Sequence, residues 1–158
     1  MQPYEEQLIA LLRGAVRKEP VPFEAADWDR VLPAARAHHL EPLIFNGGLE
    51  GLRLMPGPVW DELSRSAACA VFREVQQDHA AQMIRERLMT AEIPHVLLRG
   101  AVLKGDYPIP GRVMADLDYL ARVEDYPKIQ REMEKLGGRL EHQDGGHFSF
   151  LLPPEVLV

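Results

Sequence analysis

The sequence predicts an α+β protein in which a helical N-terminal region precedes a small mixed β-sheet. From about Tyr4 to Ile93, apolar residues recur at spacings of three and four, which is the period of an amphipathic helix. After Pro94 the pattern changes to short apolar runs separated by Gly, Pro and Asp, which is typical of strands and turns. We therefore expect a helical region over residues 1–93 and an α/β core over residues 94–158.

Composition excludes several classes of protein. The chain has 158 residues, 46% of them hydrophobic, which is enough for one domain with a sizeable core. The net charge of −6 argues against nonspecific nucleic-acid binding, which needs a basic face. No apolar run approaches the length of about 18 residues that a membrane span requires. With a single cysteine, Cys69, and no basic leader at the N-terminus, we expect a cytoplasmic protein without a membrane partner.

The N-terminal region contains signals for several helices. Apolar residues at helical spacing from Leu8 to Val16 predict a first helix that ends before Pro20. In the stretch 25–45, Pro33 and Pro42 are expected to divide the chain into short helices. The sequence Asn46-Gly47-Gly48 is a strong signal for a helix end.

The longest helical signal extends from Val59 to Ile93, where neither Gly nor Pro occurs. At about 1.5 Å per residue such a helix would be roughly 50 Å long. Its apolar stripe is expected to include Val71 and Val75, and Cys69 is expected to be buried beside it. One small sheet cannot cover all sides of so long a helix, so it is also a candidate surface for a homo-oligomer.

The region after Pro94 predicts short alternating elements. They are, in chain order, a strand at 95–98, a tight turn at 99–101, a short helix at 102–106, a loop at 107–111, a strand at 113–121, a helix at 125–136 ended by Gly137-Gly138, a hairpin of 139–142 with 147–152, and a strand beginning at 156.

Asp116 and Asp118 carry the clearest chemical signal. Side chains alternate faces along a strand, so both carboxylates should lie on one side, with Leu117 pointing to the core. Adjacent carboxylates repel unless a cation lies between them, and Mg²⁺ binds through one or two carboxylates together with substrate phosphates. The alternative is that the pair lies on a solvent-facing strand without a metal.

The turn Arg99-Gly100-Ala101 is a second, weaker signal. A glycine at this position lets the backbone approach a phosphate closely, and a turn into a helix directs free N–H groups at an anion. Arg99 would add a charge-assisted contact. Many turns between strands and helices use glycine for packing alone.

These residues form an ordered combination: Leu98-Arg99-Gly100-Ala101, Tyr107-Pro108, Gly111-Arg112, and Asp116-Leu117-Asp118-Tyr119-Leu120. This combination resembles a family of uncharacterised bacterial nucleotidyltransferases in the polymerase-beta-like nucleotidyltransferase superfamily. The resemblance is best over residues 94–140 and looser over the helical region.

The resemblance implies a nucleotidyltransferase-like topology and a reaction that uses Mg²⁺ and an NTP, ATP foremost. It implies that Asp116 and Asp118 are the catalytic, metal-binding pair. Gly100 and Ala101 would lie on the turn that holds the phosphates, with Arg99 nearby. Arg112, in the loop before the strand, would be a further phosphate contact.

The sequence departs from the family pattern at three points. Arg99 replaces the usual lysine, and Ala101 stands where a serine or second glycine is common. The superfamily's third carboxylate has no convincing match, since Glu141, Asp144 and Glu155 all lie in hairpin or loop positions. We expect that residue beyond Val158, so the α/β core is expected to be incomplete at its C-terminal end.

The sequence therefore favours Mg²⁺-dependent transfer of a nucleoside monophosphate from an NTP to an unknown acceptor. One alternative is a degenerate nucleotidyltransferase module that binds a nucleotide or a protein partner without turnover. Another is a helical interaction protein in which the long helix is the functional surface.

Overall fold

A computed structural model gives the fold of residues 2–19, 26–47, 55–98, 100–103, 115–154 and 156–157. The helices are α1 Pro3–Arg17, α2 Trp28–Ala37, α3 Glu41–Gly47, α4 Gly57–Thr90, α5 Gly100–Leu103 and α6 Tyr126–Lys135. The strands are β1 His95–Leu97, β2 Tyr119–Ala121, β3 Arg139–Asp144, β4 His147–Leu152 and β5 Val156–Leu157. This arrangement confirms the α+β class with a helical N-terminal region.

The described residues divide into two compact units, an N-terminal unit up to Phe72 and a C-terminal unit from Arg73 onward. Helix α4 contributes residues to both. The sequence pattern predicts a different division, between residues 93 and 94. That domain boundary stays a prediction.

Helix α1 begins and ends on local signals. The backbone N–H of Gln2 donates to the Glu5 carboxylate at 2.7 Å, and Pro3 occupies the first turn, where its missing N–H is not needed. Lys18 adopts a left-handed conformation with φ of 57°, which ends the helix before Pro20, as expected. The buried face of α1 carries Leu8 and Leu11.

The stretch from α2 to α3 is divided as predicted, although the break does not fall at Pro33. Pro33 lies inside α2, and Asp29, whose carbonyl loses its partner there, is exposed to water. The helix ends instead at Ala37, and His39, two residues further on, has φ of 55°. Pro42 then lies in the first turn of α3, a position that a helix tolerates.

The core of the N-terminal unit joins α1, α2, α3 and the start of α4. Its buried members are Leu8, Leu11, Trp28, Val31, Leu32, Ala35, Ile44, Met55, Val59 and Leu63. The end of α3 approaches α1 so closely that a Cβ added to Gly47 would lie 2.6 Å from the Cα of Ala15. Only glycine fits at this contact.

The long helix predicted from the sequence is confirmed as α4, but part of its predicted apolar stripe is not buried. Val71 and Val75 are 52% and 62% exposed, and Cys69 is also exposed rather than buried. After Ala70, the next buried residue of α4 is Gln77, which lies seven residues, or almost two helical turns, further along the helix. Successive residues of a helix are rotated by about 100° around its axis. Apolar residues next to Ala70 in the sequence therefore point away from the core. Among the described helices, none combines the length and apolar character needed to cross a membrane.

The strand pairs of the C-terminal unit are antiparallel in the described part of the chain. Strand β1 pairs with β2, with Leu97 opposite Tyr119, and β4 lies between β3 and β5. The predicted hairpin is confirmed: Gly145 and Gly146, with φ of 50° and 92°, form the two-residue turn. The predicted strand at 156 is also confirmed as β5.

Helix α6 covers the core of this unit with the face that was expected. Met133 is buried, Ile129 and Leu136 pack beside it, and Gly137 ends the helix with φ of 80°. The buried core members are Ala80, Ile84, Leu88, Ile93, Leu117, Met133, Phe150, Leu152 and Val156.

Two elements differ from their predicted bounds. Helix α5 begins at Gly100, two residues earlier than expected, and its described part ends at Leu103. Of the strand expected over 113–121, the structure describes residues 115–121, and among these the strand is regular at Tyr119–Ala121, with an isolated bridge at Asp116. The loop expected at 107–111 lies outside the described residues.

Tyr119 packs its ring against the C-terminal core. Its hydroxyl donates to the carbonyl of Ala81 across a long 3.4 Å. Burial raises the pKa of Tyr119 from 10.0 to about 12, because the phenolate would lose its hydration. The phenol therefore remains protonated well above the pH at which an unfolded chain would ionise it.

Replacing Gly47 by alanine should destabilise the N-terminal unit, because the added methyl group meets the backbone of Ala15. We expect a loss of about 1–3 kcal/mol in the free energy of unfolding, measured by urea denaturation. Gly57→Ala is the matched control, since a Cβ there meets nothing within 4 Å. Equal stability of the two variants would contradict the close approach.

Alkaline titration should reveal Tyr119 as a late-ionising phenol. Absorbance at 295 nm is expected to show a step near pH 12 that disappears in Tyr119→Phe and remains in Tyr126→Phe. Between pH 10 and 12 the folded state holds a proton that the unfolded state has lost. The free energy of unfolding should therefore fall as pH rises through this window, and less so in Tyr119→Phe. Retention of the step in Tyr119→Phe would refute its assignment.

Candidate active site

The pairing of β1 with β2 brings the two predicted motifs together. The N–H of Leu98, just past β1, donates to the carbonyl of Asp118 at 2.8 Å. Gly100 and Ala101, the first residues of α5, come two and three positions after Leu98, the backbone partner of Asp118. Residues far apart in the sequence thus become neighbours through a strand pair.

Asp116 and Asp118 lie on either side of a buried residue, Leu117, in the sequence. Leu117 is 2% exposed and belongs to the core, whereas Asp116 is exposed and Asp118 is half-buried. The burial of Leu117 agrees with its predicted position in the core. That Asp116 and Asp118 lie together on the other side stays a prediction.

The donor set suits a hard divalent cation. Mg²⁺ prefers oxygen ligands and commonly takes only one or two from the protein, with phosphates and water completing the octahedron. Over the described ranges, no group of three or more His, Cys, Asp or Glu side chains is placed to hold a metal ion.

Of the acids considered for a third position, the two that the structure describes, Glu141 and Asp144, are not drawn into a metal-binding cluster with this pair. Glu141 lies on the exposed hairpin, where its carboxylate accepts from the Arg139 guanidinium at 2.7 Å. Asp144 is exposed at the end of β3, and Glu155 lies outside the described residues. Within the part of the chain that the structure describes, no third acid of this site is identified.

The residues expected to hold phosphate are only partly described. Gly100 and Ala101 are placed in α5, at the end of the chain segment that leaves β1. Arg99 and Arg112 lie outside the described residues, so their contribution stays a prediction.

Sequence reasoning did not find a cavity of about 180 Å³ that adjoins Asp118. Its lining comes from β1, β2, α4, α6 and β4, and includes His95, Arg122 and Phe148. The Nδ1 atom of His95 lies 2.9 Å from the carbonyl oxygen of Ile93. No local motif marks such a cavity, because it arises only when separate elements pack.

Comparison with known proteins agrees with these observations. A family model described as an uncharacterised nucleotidyltransferase matches residues 24–154, which include parts of both units and the whole of the paired motifs. None of the curated proteins and none of the solved structures compared with the chain matches it. Since the family model covers most of the sequence, the chain belongs to the uncharacterised nucleotidyltransferase family.

Proposed function

We propose that this protein transfers a nucleoside monophosphate from an NTP, ATP foremost, to an acceptor in a Mg²⁺-dependent reaction. The observation that carries the proposal is the β1–β2 pairing, in which Asp118 accepts a backbone hydrogen bond from the segment that leads into Gly100. Membership of the family supports the class of reaction.

In the proposed reaction, Asp116 and Asp118 bind the metal with their carboxylate oxygens. When bound, Mg²⁺ neutralises the charge of the triphosphate and orients it. A nucleophilic oxygen of the acceptor forms a bond to the α-phosphorus, and the bond from that phosphorus to the α–β bridging oxygen breaks. Pyrophosphate leaves, and the acceptor's proton is released to solvent.

Gly100 and Ala101 would let the backbone approach the triphosphate, because neither carries a bulky side chain. Arg99 and Arg112 would add charge-assisted hydrogen bonds to phosphate oxygens, a role for which the guanidinium fork is well suited. We place the reaction in the cytoplasm, where the exposed thiol of Cys69 would remain reduced.

A second function is favoured by a specific observation. The described residues contain no third acid near Asp116 and Asp118, and many such reactions use one as a base. The protein would then be a binding module that holds a nucleotide without turnover.

A third proposal concerns helix α4. Val71, Phe72 and Val75 form an exposed apolar group on this helix, and burial of such a group between two copies would be favourable. Self-association through α4 would be independent of nucleotide and of the two aspartates.

Calorimetric titration with ATP tests the proposed metal and nucleotide site. We expect binding that requires Mg²⁺ and that weakens at least about tenfold, or about 1.4 kcal/mol, in Asp116→Asn/Asp118→Asn. The control is Asp29→Asn/Asp61→Asn, which removes the same charge from exposed positions of the N-terminal unit. Absence of binding to the wild-type protein, or equal binding by both double variants, would refute the site.

Turnover is tested separately with α-³²P-labelled ATP and a fractionated pool of small metabolites. The catalytic proposal predicts label in a new compound and release of pyrophosphate, both abolished in Asp116→Asn/Asp118→Asn. Mg²⁺-dependent ATP binding without any transferred label would favour the binding module instead.

A further inference from the structure

The cavity beside Asp118 adjoins strand β2 and the residues on both sides of it. Its lining includes every residue from Leu117 to Val123, of which Tyr119–Ala121 form the strand. His95 of β1, the partner of Ala121 in the strand pair, lines the same cavity. The cavity therefore borders the strand pair that brings Asp118 next to Leu98.

The floor of the cavity is apolar. Ile84 and Leu88 of α4 and Met133 of α6 line it, and all three are almost completely buried. Tyr126 and Phe148 form one wall, with their rings stacked at a centroid distance of 3.5 Å. Burial of a phosphate or a hydroxyl-rich sugar against such a floor would be unfavourable.

The volume of the cavity limits the size of the ligand that it can bind. An apolar cavity of about 150 Å³ is large enough for benzene. The cavity beside Asp118, at about 180 Å³, therefore accommodates one six-membered ring with a small substituent. Its lining, which includes the stacked rings of Tyr126 and Phe148, suits a flat apolar group.

Polar side chains at the same cavity indicate which substituent the ring carries. Arg122 is exposed and lines the cavity, so its guanidinium is available to an anionic group. The Nδ1 atom of His95 faces the Ile93 carbonyl, which only accepts. Nδ1 must therefore carry the proton, and in the neutral ring Nε2 is left as an acceptor.

We infer that this cavity binds the acceptor, a small molecule with one aromatic ring and an acidic substituent. The inference rests on the proposed function, since it assigns the second substrate of the same site. The ring would occupy the apolar floor, Arg122 would bind the acidic group, and contact with Asp118 would keep the molecule beside the proposed metal site.

The probe for this inference is 4-hydroxybenzoate, followed by NMR of the methyl groups of Ile84, Ile129 and Met133. We expect these signals to shift and 4-hydroxybutyrate, which has the same polar groups without a ring, to leave them unchanged. Val123→Trp, at a position that lines the cavity and is 70% exposed, should weaken binding at least about tenfold. Val16→Trp is the control, since Val16 is 44% exposed and does not line the cavity.

A second variant keeps the test decisive if Val123→Trp fails to fold. Arg122→Gln should weaken 4-hydroxybenzoate about tenfold while leaving the binding of uncharged phenol nearly unchanged. Equal effects on the two probes would overturn the assignment of Arg122 to the acidic group.

Titration of the probe with and without Mg²⁺ and ATP separates this inference from the proposed function. Simultaneous binding of probe and nucleotide supports an acceptor cavity. Nucleotide binding without any probe binding overturns the cavity assignment alone. Probe binding without nucleotide binding, or competition between them, overturns the acceptor role, because the ring would then be an unrelated ligand or occupy the place of the base.

Discussion

The short antiparallel pair of β1 and β2 is the interaction on which the candidate site depends. The hydrogen bond from Leu98 to Asp118 fixes the register in which the two motifs meet. A slip by one residue would reverse the faces, placing Leu117 in solvent and an aspartate in the core. Burial of Leu117 therefore holds the register as firmly as the backbone bonds do.

Local signals made most of the fold predictable. Helix α4 lacks Gly and Pro throughout the predicted span, and the turn Asp144-Gly145-Gly146 supplies the left-handed conformations that a two-residue hairpin needs. The predictions failed where packing decides the outcome. The apolar residues Val71 and Val75 are exposed, because the side of α4 that faces the core carries Gln77 instead.

Less of the candidate site can be compared with its prediction. Alternation along a strand was enough to predict that Leu117 is buried, and it is 2% exposed. That Asp116 and Asp118 share a side stays a prediction. The metal, the nucleotide and the catalytic role assigned to the pair remain proposals. The cavity could not be foreseen, since His95, Arg122 and Phe148 lie in separate elements and carry no common motif.

Helix α4 has a consequence for how the protein loses its structure. One continuous run of backbone hydrogen bonds from Gly57 to Thr90 carries Leu63, a member of one core, and Ile84 and Leu88, members of the other. Isolated helices are marginally stable, so each half of α4 depends on the core that it serves and on the continuation of the helix. Loss of either core would therefore remove the packing that supports its own half of α4, and the two units share this one helix.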